Sequence, residues 1–295
     1  MSRFCPYDVT SKTYDNTRSP LGLNIVFGSL ALNGKPLPSQ KVLDVGCGTG
    51  TFIAKIQHKV QEVVGLEYND GMLAQARELL GETVKLVQGS AASLPFEDQS
   101  FDGVVINQVV HHFPQDNDYA FLKGFLAEAF RVLRPGGHLI ISTSAPEQQR
   151  DSFWWLSLFP KASEAICSRF PPIAVMTDSM RSVGFQVDAD SIAVPLHRTL
   201  MSEEKYLAQG VESAFSAEYR AGDSSWSMAE NSGELQEGLS SLKKKLNAGT
   251  ADVFLQEREA LRLSKGQATF VTATKKNLRG GERERVLEIE GNTIF

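Results

Sequence analysis

Between Lys41 and Thr143, short apolar runs of strand length alternate with longer segments whose apolar residues recur at helical spacing. Alternation of this kind predicts βαβ units stacked around a parallel sheet. The predicted strands are Lys41–Val45, Glu62–Glu67, Val84–Gln88, Phe101–Asn107 and His138–Thr143. The predicted helices between them are Thr51–Lys59, Gly71–Leu80 and Phe121–Leu133. Five strands in this order predict a doubly wound α/β sheet.

After Ser144 the pattern becomes mostly helical. Two further strands are predicted at Phe185–Val194 and Gln267–Thr274, and we interpret them as an antiparallel hairpin that completes the sheet. The segment Met201–Ser264 falls between these strands and is predicted to form an inserted helical cap. Two more helices are predicted before the first of these strands, at Asp151–Arg169 and Thr177–Val183.

This organisation divides the chain into three parts. Residues 1–200 and 266–276 are predicted to form the sheet domain, with an N-terminal lid segment. Residues 201–265 are predicted to form the cap over the substrate site. Residues 277–295 are charged and poor in apolar side chains, which predicts an exposed C-terminal tail.

Composition narrows the class of protein. At 295 residues and 42% hydrophobic, the chain can bury one large core, and its net charge of −5 argues against nucleic acid and anionic membranes as partners. The three cysteines lack CxxC spacing, so neither a disulfide framework nor a metal site is predicted. No segment has the apolar length of a signal-peptide core or a transmembrane helix. We therefore expect a cytoplasmic protein.

The most specific motif runs from Val42 to Gly50, where a buried strand leads into a glycine-rich turn that opens a helix. Glycines permit backbone angles closed to other residues and let a ligand approach, while the helix start offers unpaired N–H donors. Asp44, at the strand end, can orient the turn or hold an ammonium group. Glu67, about 20 residues further on, can accept both hydroxyls of a ribose. A structural turn beside an ordinary surface acid is the alternative interpretation.

From about residue 10 to residue 200, the chain resembles the class I S-adenosylmethionine-dependent methyltransferases. Val42–Gly50 is similar to the first motif of the family, and Gln88–Phe96 is similar to the motif at the edge of the adenine. Phe101–Phe113 and Ala129–Gly137 resemble the strand that floors the site and the helix and turn that enter the fifth strand. The resemblance implies a Rossmann-like, doubly wound, mostly parallel seven-stranded sheet with a helical cap between its last two strands.

The resemblance also implies a set of cofactor-binding residues. They are Asp44, Gly46, Cys47 and Gly48 in the turn, Glu67 at the ribose, Tyr68 and Met72 flanking the adenine, Ser90 and Ala91 at its edge, and Asn107 at the end of the fourth strand. Ser90 departs from the aspartate that relatives usually carry, and a neutral hydroxyl is a weaker acceptor for the adenine amino group than a carboxylate.

Upstream, Tyr14–Pro20 resembles the Tyr-Asp-x-x-Arg-x-Pro segment of the type 11 methyltransferase subgroup, where it folds over the cofactor. The resemblance implies that Tyr14 and Arg18 contribute to cofactor binding. Arg18 suits a carboxylate through bidentate pairing. A surface helix entrance would explain the same residues.

Candidate catalytic and substrate residues follow from the chemistry. Methyl transfer from a sulfonium is an in-line displacement, which requires alignment and exclusion of water. His111 and His112 follow the fourth strand, and one of them is the predicted general base, with a role in shape alone as the alternative. Trp154, Tyr219 and Trp226 are predicted to line the substrate pocket, with packing of the cap as the alternative.

The predicted function is methyl transfer from S-adenosylmethionine to an O, N or S atom of a small-molecule acceptor, by a monomer or homodimer. No basic stretch interleaved with aromatics points to RNA or DNA. Asn107–Val110 also stands where relatives that methylate amides and base amines carry Asn-Pro-Pro-Tyr. The alternatives are a non-catalytic protein that binds S-adenosylmethionine and an NAD-dependent oxidoreductase. Gly46–Gly50 lacks the Gly-x-Gly-x-x-Gly spacing that the oxidoreductase requires.

Overall fold

The computed structural model describes residue 20 and residues 22–115, 117–187, 194–196, 210–221 and 223–276. A mixed sheet is the centre of this part of the chain. Its strands are β1 Lys41–Val45, β2 Glu62–Glu67, β3 Lys85–Gln88, β4 Phe101–Asn107, β5 Leu133–Thr143, β6 Phe185–Gln186, β7 Val194–Leu196 and β8 Ala268–Lys275.

The strand order is β3-β2-β1-β4-β5-β8-β6, and β7 also pairs with β8. Strands β1 to β5 are parallel to one another, whereas β8 runs antiparallel to β5, β6 and β7. Because β6 and β7 pair with opposite ends of β8, together they occupy one position, and the sheet has seven positions. The predicted fold class is confirmed.

Helices cover both faces of the sheet. They are α1 Leu23–Ala31, α2 Thr51–Ile56, α3 Asp70–Leu80, α4 Ala120–Val132, α5 Pro146–Arg150, α6 Pro160–Cys167, α7 Ile173–Val183, α8 Ala217–Arg220, α9 Ser224–Asn231, α10 Leu235–Asn247 and α11 Ala251–Lys265. Successive strand residues point to opposite faces. Val42 therefore packs with α1 and α2, while Leu43 packs in the cluster that contains α4 and α7.

The prediction of one helix over Asp151–Arg169 is wrong. The structure has a short 3₁₀ helix at Trp154–Leu158, and α6 begins separately at Pro160. Proline lacks an N–H donor and has a fixed φ, so it disrupts a helix interior but suits a first helical position. The break at Pro160 follows from this preference.

The cap has a hydrophobic core of its own. Helices α8 to α11 and the 3₁₀ helix Val211–Phe215 lie between β7 and β8 in the chain, as predicted. Their apolar residues join those of residues 153–170 in one buried cluster. The cap core thus includes a segment that precedes the predicted boundary at residue 201.

Candidate functional site

The carboxyl ends of three neighbouring parallel strands meet at one edge of the sheet. Asp44 of β1 lies opposite Gly65 of β2 on one side and Val105 of β4 on the other. The segments that follow these strands therefore lie next to each other, as expected at a switch point of a doubly wound sheet. This edge brings together the glycine turn, Glu67 and the segment that contains His111.

The turn after β1 is held by its backbone. The N–H groups of Gly46 and Cys47 both donate to the carbonyl of Leu66, at 2.7 and 3.0 Å. Gly46, Gly48 and Gly50 have φ angles of +73°, +56° and +84°, in the left-handed region that favours glycine. A Cβ added at Gly46 would lie 2.6 Å from Val109 Cγ2.

Gly48 differs from Gly46 in what surrounds it. Apart from Gly48 and its two neighbours in the chain, no described residue has an atom within 4 Å of the position that a Cβ at Gly48 would occupy. The backbone there is therefore open to a ligand, as the glycine-rich motif predicts. Gly46 instead allows the turn to pack closely against the segment after β4.

Glu67 connects this turn to the end of β2. Its Oε2 accepts a hydrogen bond from the N–H of Gly48 at 2.9 Å, and its Oε1 accepts one from the N–H of Asn69 at 2.8 Å. A carboxylate oxygen has two lone pairs, so each oxygen can still accept a ribose hydroxyl. The bond to Gly48 was not predicted from the sequence. Asn69 caps α3, because its side-chain oxygen accepts a hydrogen bond from the N–H of Met72. An asparagine just before an apolar helical repeat is a sequence signal for such a cap.

Asp44 is a buried carboxylate with an unsatisfied oxygen. The residue is 1% exposed, and its Oδ2 has no hydrogen-bond partner among the described residues. Burial, and then the charge of Glu67, raise the pKa of this carboxyl to about 7. A cation bound beside Asp44 would favour its ionised form and supply the missing partner. The site therefore fits the ammonium group of an amino-acid moiety.

The predicted adenine side lies at the ends of β2 and β3. Tyr68 is 56% exposed, so its ring is available to stack on a ligand, whereas Met72 is buried. The hydroxyl of Ser90 accepts a hydrogen bond from the N–H of Ala92 at 3.2 Å, which leaves one lone pair for the adenine amino group. Ala91 and Asn107 are half-buried.

The structure limits what Cys47 contributes. Its side chain is buried in the core, and burial is the main cause that raises the pKa of the thiol above its usual range. Its Sγ lies only 2.8 Å from where a Cβ at Gly65 would stand, so the side chain packs against β2. Only the backbone of Cys47 belongs to the turn. Tyr14 and Arg18 lie outside the described residues.

His111 and His112 lie in a 3₁₀ turn after β4, with ring centroids 4.0 Å apart. The ring of His111 stacks on that of Phe170, with centroids 4.7 Å apart. Burial, and then the charge of Arg169, lower the pKa of His112 to about 4, so His112 is neutral at neutral pH and is a weak base. The closeness of Phe170 and Arg169 was not predicted from the sequence.

Gln108, between β4 and the histidines, has a left-handed backbone. Its φ is +55°, and its N–H donates to the carbonyl of Ser142 at 2.8 Å. Its side chain amide also donates to the hydroxyl of Ser142, at 3.3 Å. A left-handed non-glycine residue stores strain, which is common at functional sites. No local signal in the sequence predicts this conformation.

The predicted substrate residues lie in the aromatic cluster of the cap. Trp154 and Trp226 are buried and Tyr219 is half-buried. The ring of Trp226 stacks on that of Trp155, with centroids 5.2 Å apart, and packs edge-on to that of Tyr219, with centroids 6.2 Å apart. This placement supports the interpretation that these residues pack the cap. Their contact with a substrate stays a prediction.

Within the described ranges, no three or more His, Cys, Asp and Glu residues are grouped so that they could hold a metal ion. In the same part of the chain, every helix is too short or too polar to cross a bilayer.

Comparison with known proteins agrees with the geometry of the sheet edge. Residues 43–141 match a protein family described as a methyltransferase domain. A demethylmenaquinone methyltransferase of Staphylococcus aureus is 41% identical over 112 residues, which cover 36% of this chain and 44% of that protein. One from Clavibacter sepedonicus is 34% identical over 140 residues, covering 46% and 55%. The chain thus spans about half the length of the curated relatives it matches.

Solved structures are similar over more of the chain. A protein of an antibiotic biosynthesis pathway in Anabaena variabilis, described as a candidate methyltransferase, has a TM-score of 0.63 at 24% identity, covering 88% of this chain and 99% of that one. Phosphoethanolamine N-methyltransferase 2 of Haemonchus contortus, solved with S-adenosyl-L-methionine, has a TM-score of 0.56 at 18% identity, covering 92% and 57%. At these identities the likeness concerns the fold.

Proposed function

We propose that this chain is a class I S-adenosylmethionine-dependent methyltransferase of the type 11 group and that it methylates a small-molecule acceptor, because residues 43–141 match a methyltransferase domain family. The observation that carries the proposal is the pair of carboxylates at the glycine turn. Asp44 is buried with an unsatisfied oxygen, and Glu67 is fixed across the turn with lone pairs to spare. The two groups suit the ammonium and the ribose of the cofactor.

The residues present fit S-adenosylmethionine along its length. Asp44 would hold the ammonium group, the open backbone at Gly48 would lie against the chain of the amino acid, and Glu67 would hold the ribose. Tyr68 would cover the adenine. When bound, the cofactor supplies an electrophilic methyl group on its sulfonium.

The reaction mainly requires alignment and exclusion of water. The turn, locked by Leu66 and Glu67, fixes the binding groups before the ligand arrives, which reduces the entropy lost on binding. His111 and His112 lie after β4 at the same edge, where the acceptor would approach. His112 is neutral there, so it suits orienting an acceptor by a hydrogen bond better than removing a proton.

The names of the relatives support a small molecule as the acceptor. The two curated relatives described above are named demethylmenaquinone methyltransferases, and one structural neighbour is named a phosphoethanolamine N-methyltransferase. We propose an O, N or S atom as the accepting group, with the cap over it. The comparisons favour neither an NAD-dependent oxidoreductase nor a protein that only binds the cofactor.

A thermal-shift titration with S-adenosylmethionine, S-adenosylhomocysteine and NAD tests the cofactor. We expect the two sulfur compounds to raise the melting temperature and NAD to leave it unchanged, because a ligand stabilises the fold that binds it. If NAD alone raised it, the proposal would be wrong. Binding without methylation of any acceptor in a broad panel would instead favour a non-catalytic protein.

Glu67→Gln tests the carboxylate itself. Loss of a charged acceptor should weaken the binding of S-adenosylhomocysteine, measured by calorimetry, by about 1.5–3 kcal/mol. Glu62→Gln is the matched control, because Glu62 begins the same strand and pairs with Lys41 at 3.0 Å, away from the turn. Equal affinities of the two variants would contradict the role of Glu67.

A further inference from the structure

A groove in the cap lies apart from the sheet edge. It has a volume of about 490 Å³ and lies between α10, α11 and the 3₁₀ helix Trp154–Leu158. Its lining includes Ser157, Glu237, Ser241, Lys245, Phe254 and Arg258. None of these residues belongs to the glycine turn or to the ends of β1, β2 and β4, so the groove is not part of the proposed cofactor site.

Two cationic side chains, Lys245 and Arg258, line this groove. Lys245 Nζ lies 5.0 Å from the centroid of the Phe254 ring. Arg258 follows Phe254 by four residues on α11, so both project from the same face of that helix. The Nε of Arg258 is buried and has no hydrogen-bond partner among the residues that the structure describes. A buried guanidinium N–H without an acceptor is unfavourable, and an anionic ligand would supply one.

The two acidic residues of the groove lie at the start of α10, whereas Lys245 lies in its last turn. Glu234 already accepts hydrogen bonds from the N–H groups of Lys161 and Ala162, at 2.8 and 2.9 Å, and from the hydroxyl of Ser232 at 2.8 Å. Glu237 lies eight residues before Lys245 on α10, a rise of about 12 Å along the helix axis. The end of the groove near Phe254 therefore carries Lys245 and, one turn further along α11, Arg258.

We propose that this end of the groove binds a small oxyanion, the carboxylate or phosphate of an organic ligand, between Lys245 and Arg258. The exposed hydroxyl of Ser241 lies on the same lining and can donate a further hydrogen bond. Phe254 forms a wall and also contacts Trp154, with ring centroids 6.3 Å apart. An occupant would thus be reported by tryptophan fluorescence.

The test titrates the full chain with inorganic phosphate and, separately, with sodium acetate, at constant ionic strength maintained with chloride. We expect a saturable change in tryptophan fluorescence. Lys245→Gln and Arg258→Gln should each weaken binding by about tenfold, because each removes a charge-assisted hydrogen bond. Lys243→Gln is the matched control, since Lys243 lies on the same helix and over another ring, 5.7 Å from the centroid of Phe215, but outside the groove.

The outcomes distinguish two sources of the anion, and they also show when the proposal fails. Tighter binding of phosphate indicates a phosphorylated ligand, and tighter binding of acetate indicates a carboxylate. Absence of saturation, or equal weakening by Lys243→Gln, would overturn the site. Competition between the anion and S-adenosylhomocysteine would also overturn the proposal, because the groove would then not be separate from the cofactor site. Failure of the methyltransferase proposal would not affect the prediction of anion binding in the groove. If Arg258→Gln does not fold by circular dichroism, Lys245→Gln decides.

Discussion

The sheet edge around Gly46 and the aromatic cluster around Trp226 are both largely buried, but they are built differently. At the edge, backbone groups of adjacent strands make the contacts, as in the bonds from Gly46 and Cys47 to Leu66. In the cap, side chains far apart in the sequence meet, and the indole of Trp155 donates to the hydroxyl of Ser225 at 2.8 Å. The edge follows from a local motif, whereas the cap depends on packing between distant segments.

Trp226→Ala tests whether the two regions are energetically independent. Trp226 is 2% exposed and packs on Trp155 and Phe159, so its truncation should lower the free energy of unfolding by about 3–5 kcal/mol. Urea denaturation measures this loss. Affinity for S-adenosylhomocysteine should be unchanged, and Trp226→Phe should recover much of the stability. A collapse of affinity in Trp226→Ala, with the fold retained, would show that the regions are coupled.

Gly46→Ala disturbs the edge instead of the cap. The left-handed φ and the approach of a new Cβ to Val109 should together cost about 2–4 kcal/mol of unfolding free energy. Cofactor affinity should also fall. Gly34→Ala is the control, because Gly34 has a φ of +76° but, apart from its two neighbours in the chain, no described residue within 4 Å of an added Cβ. It should lose only about 1–2 kcal/mol and leave cofactor binding intact. Equal losses would mean that the contact with Val109 contributes nothing.

The difference between the regions explains what the sequence could predict. The order of strands and the glycine turn follow from short-range periodicity and from the left-handed angles that glycine permits. The bond from Gly48 to Glu67 was not predicted, because it depends on the register of β1 against β2. Residues 153–170 were assigned to the sheet domain, since nothing local shows that Trp154 packs against Trp226. Helix periodicity alone also overlooked the break at Pro160.

The candidate site residues show the same difference between what a local motif predicts and what depends on the packing of distant segments. Asp44 and Glu67 could be predicted as candidate cofactor-binding residues because their spacing from the turn is fixed along two adjacent strands. The raised pKa of Asp44 could not be predicted from the sequence, because it comes mainly from burial, which depends on the whole fold. That Lys245 and Arg258 line one groove is likewise not evident from the sequence, because they lie on two different helices.

His112 lies where the two regions meet, because its neighbour His111 stacks on Phe170, a member of the cap cluster. With a pKa near 4, His112 stays neutral between pH 6 and 9, so it should add no limb to the pH profile of kcat/KM in that range. We expect His112→Asn to lower kcat by less than about tenfold, whereas loss of a general base costs about 10²–10⁴.

The free energy of unfolding should depend on the protonation of His112 at acidic pH, below the range considered for turnover. A folded pKa below the usual imidazole value of about 6.5 means that the unfolded chain binds a proton more readily, so stability falls as pH drops from about 6.5 towards 4. His112→Asn should reduce that fall, measured by urea denaturation at several pH values. His111→Asn is the comparison variant for turnover. A hundredfold loss in His112→Asn, with a new dependence on pH above 6, would identify His112 as the base and place catalysis at the contact between edge and cap.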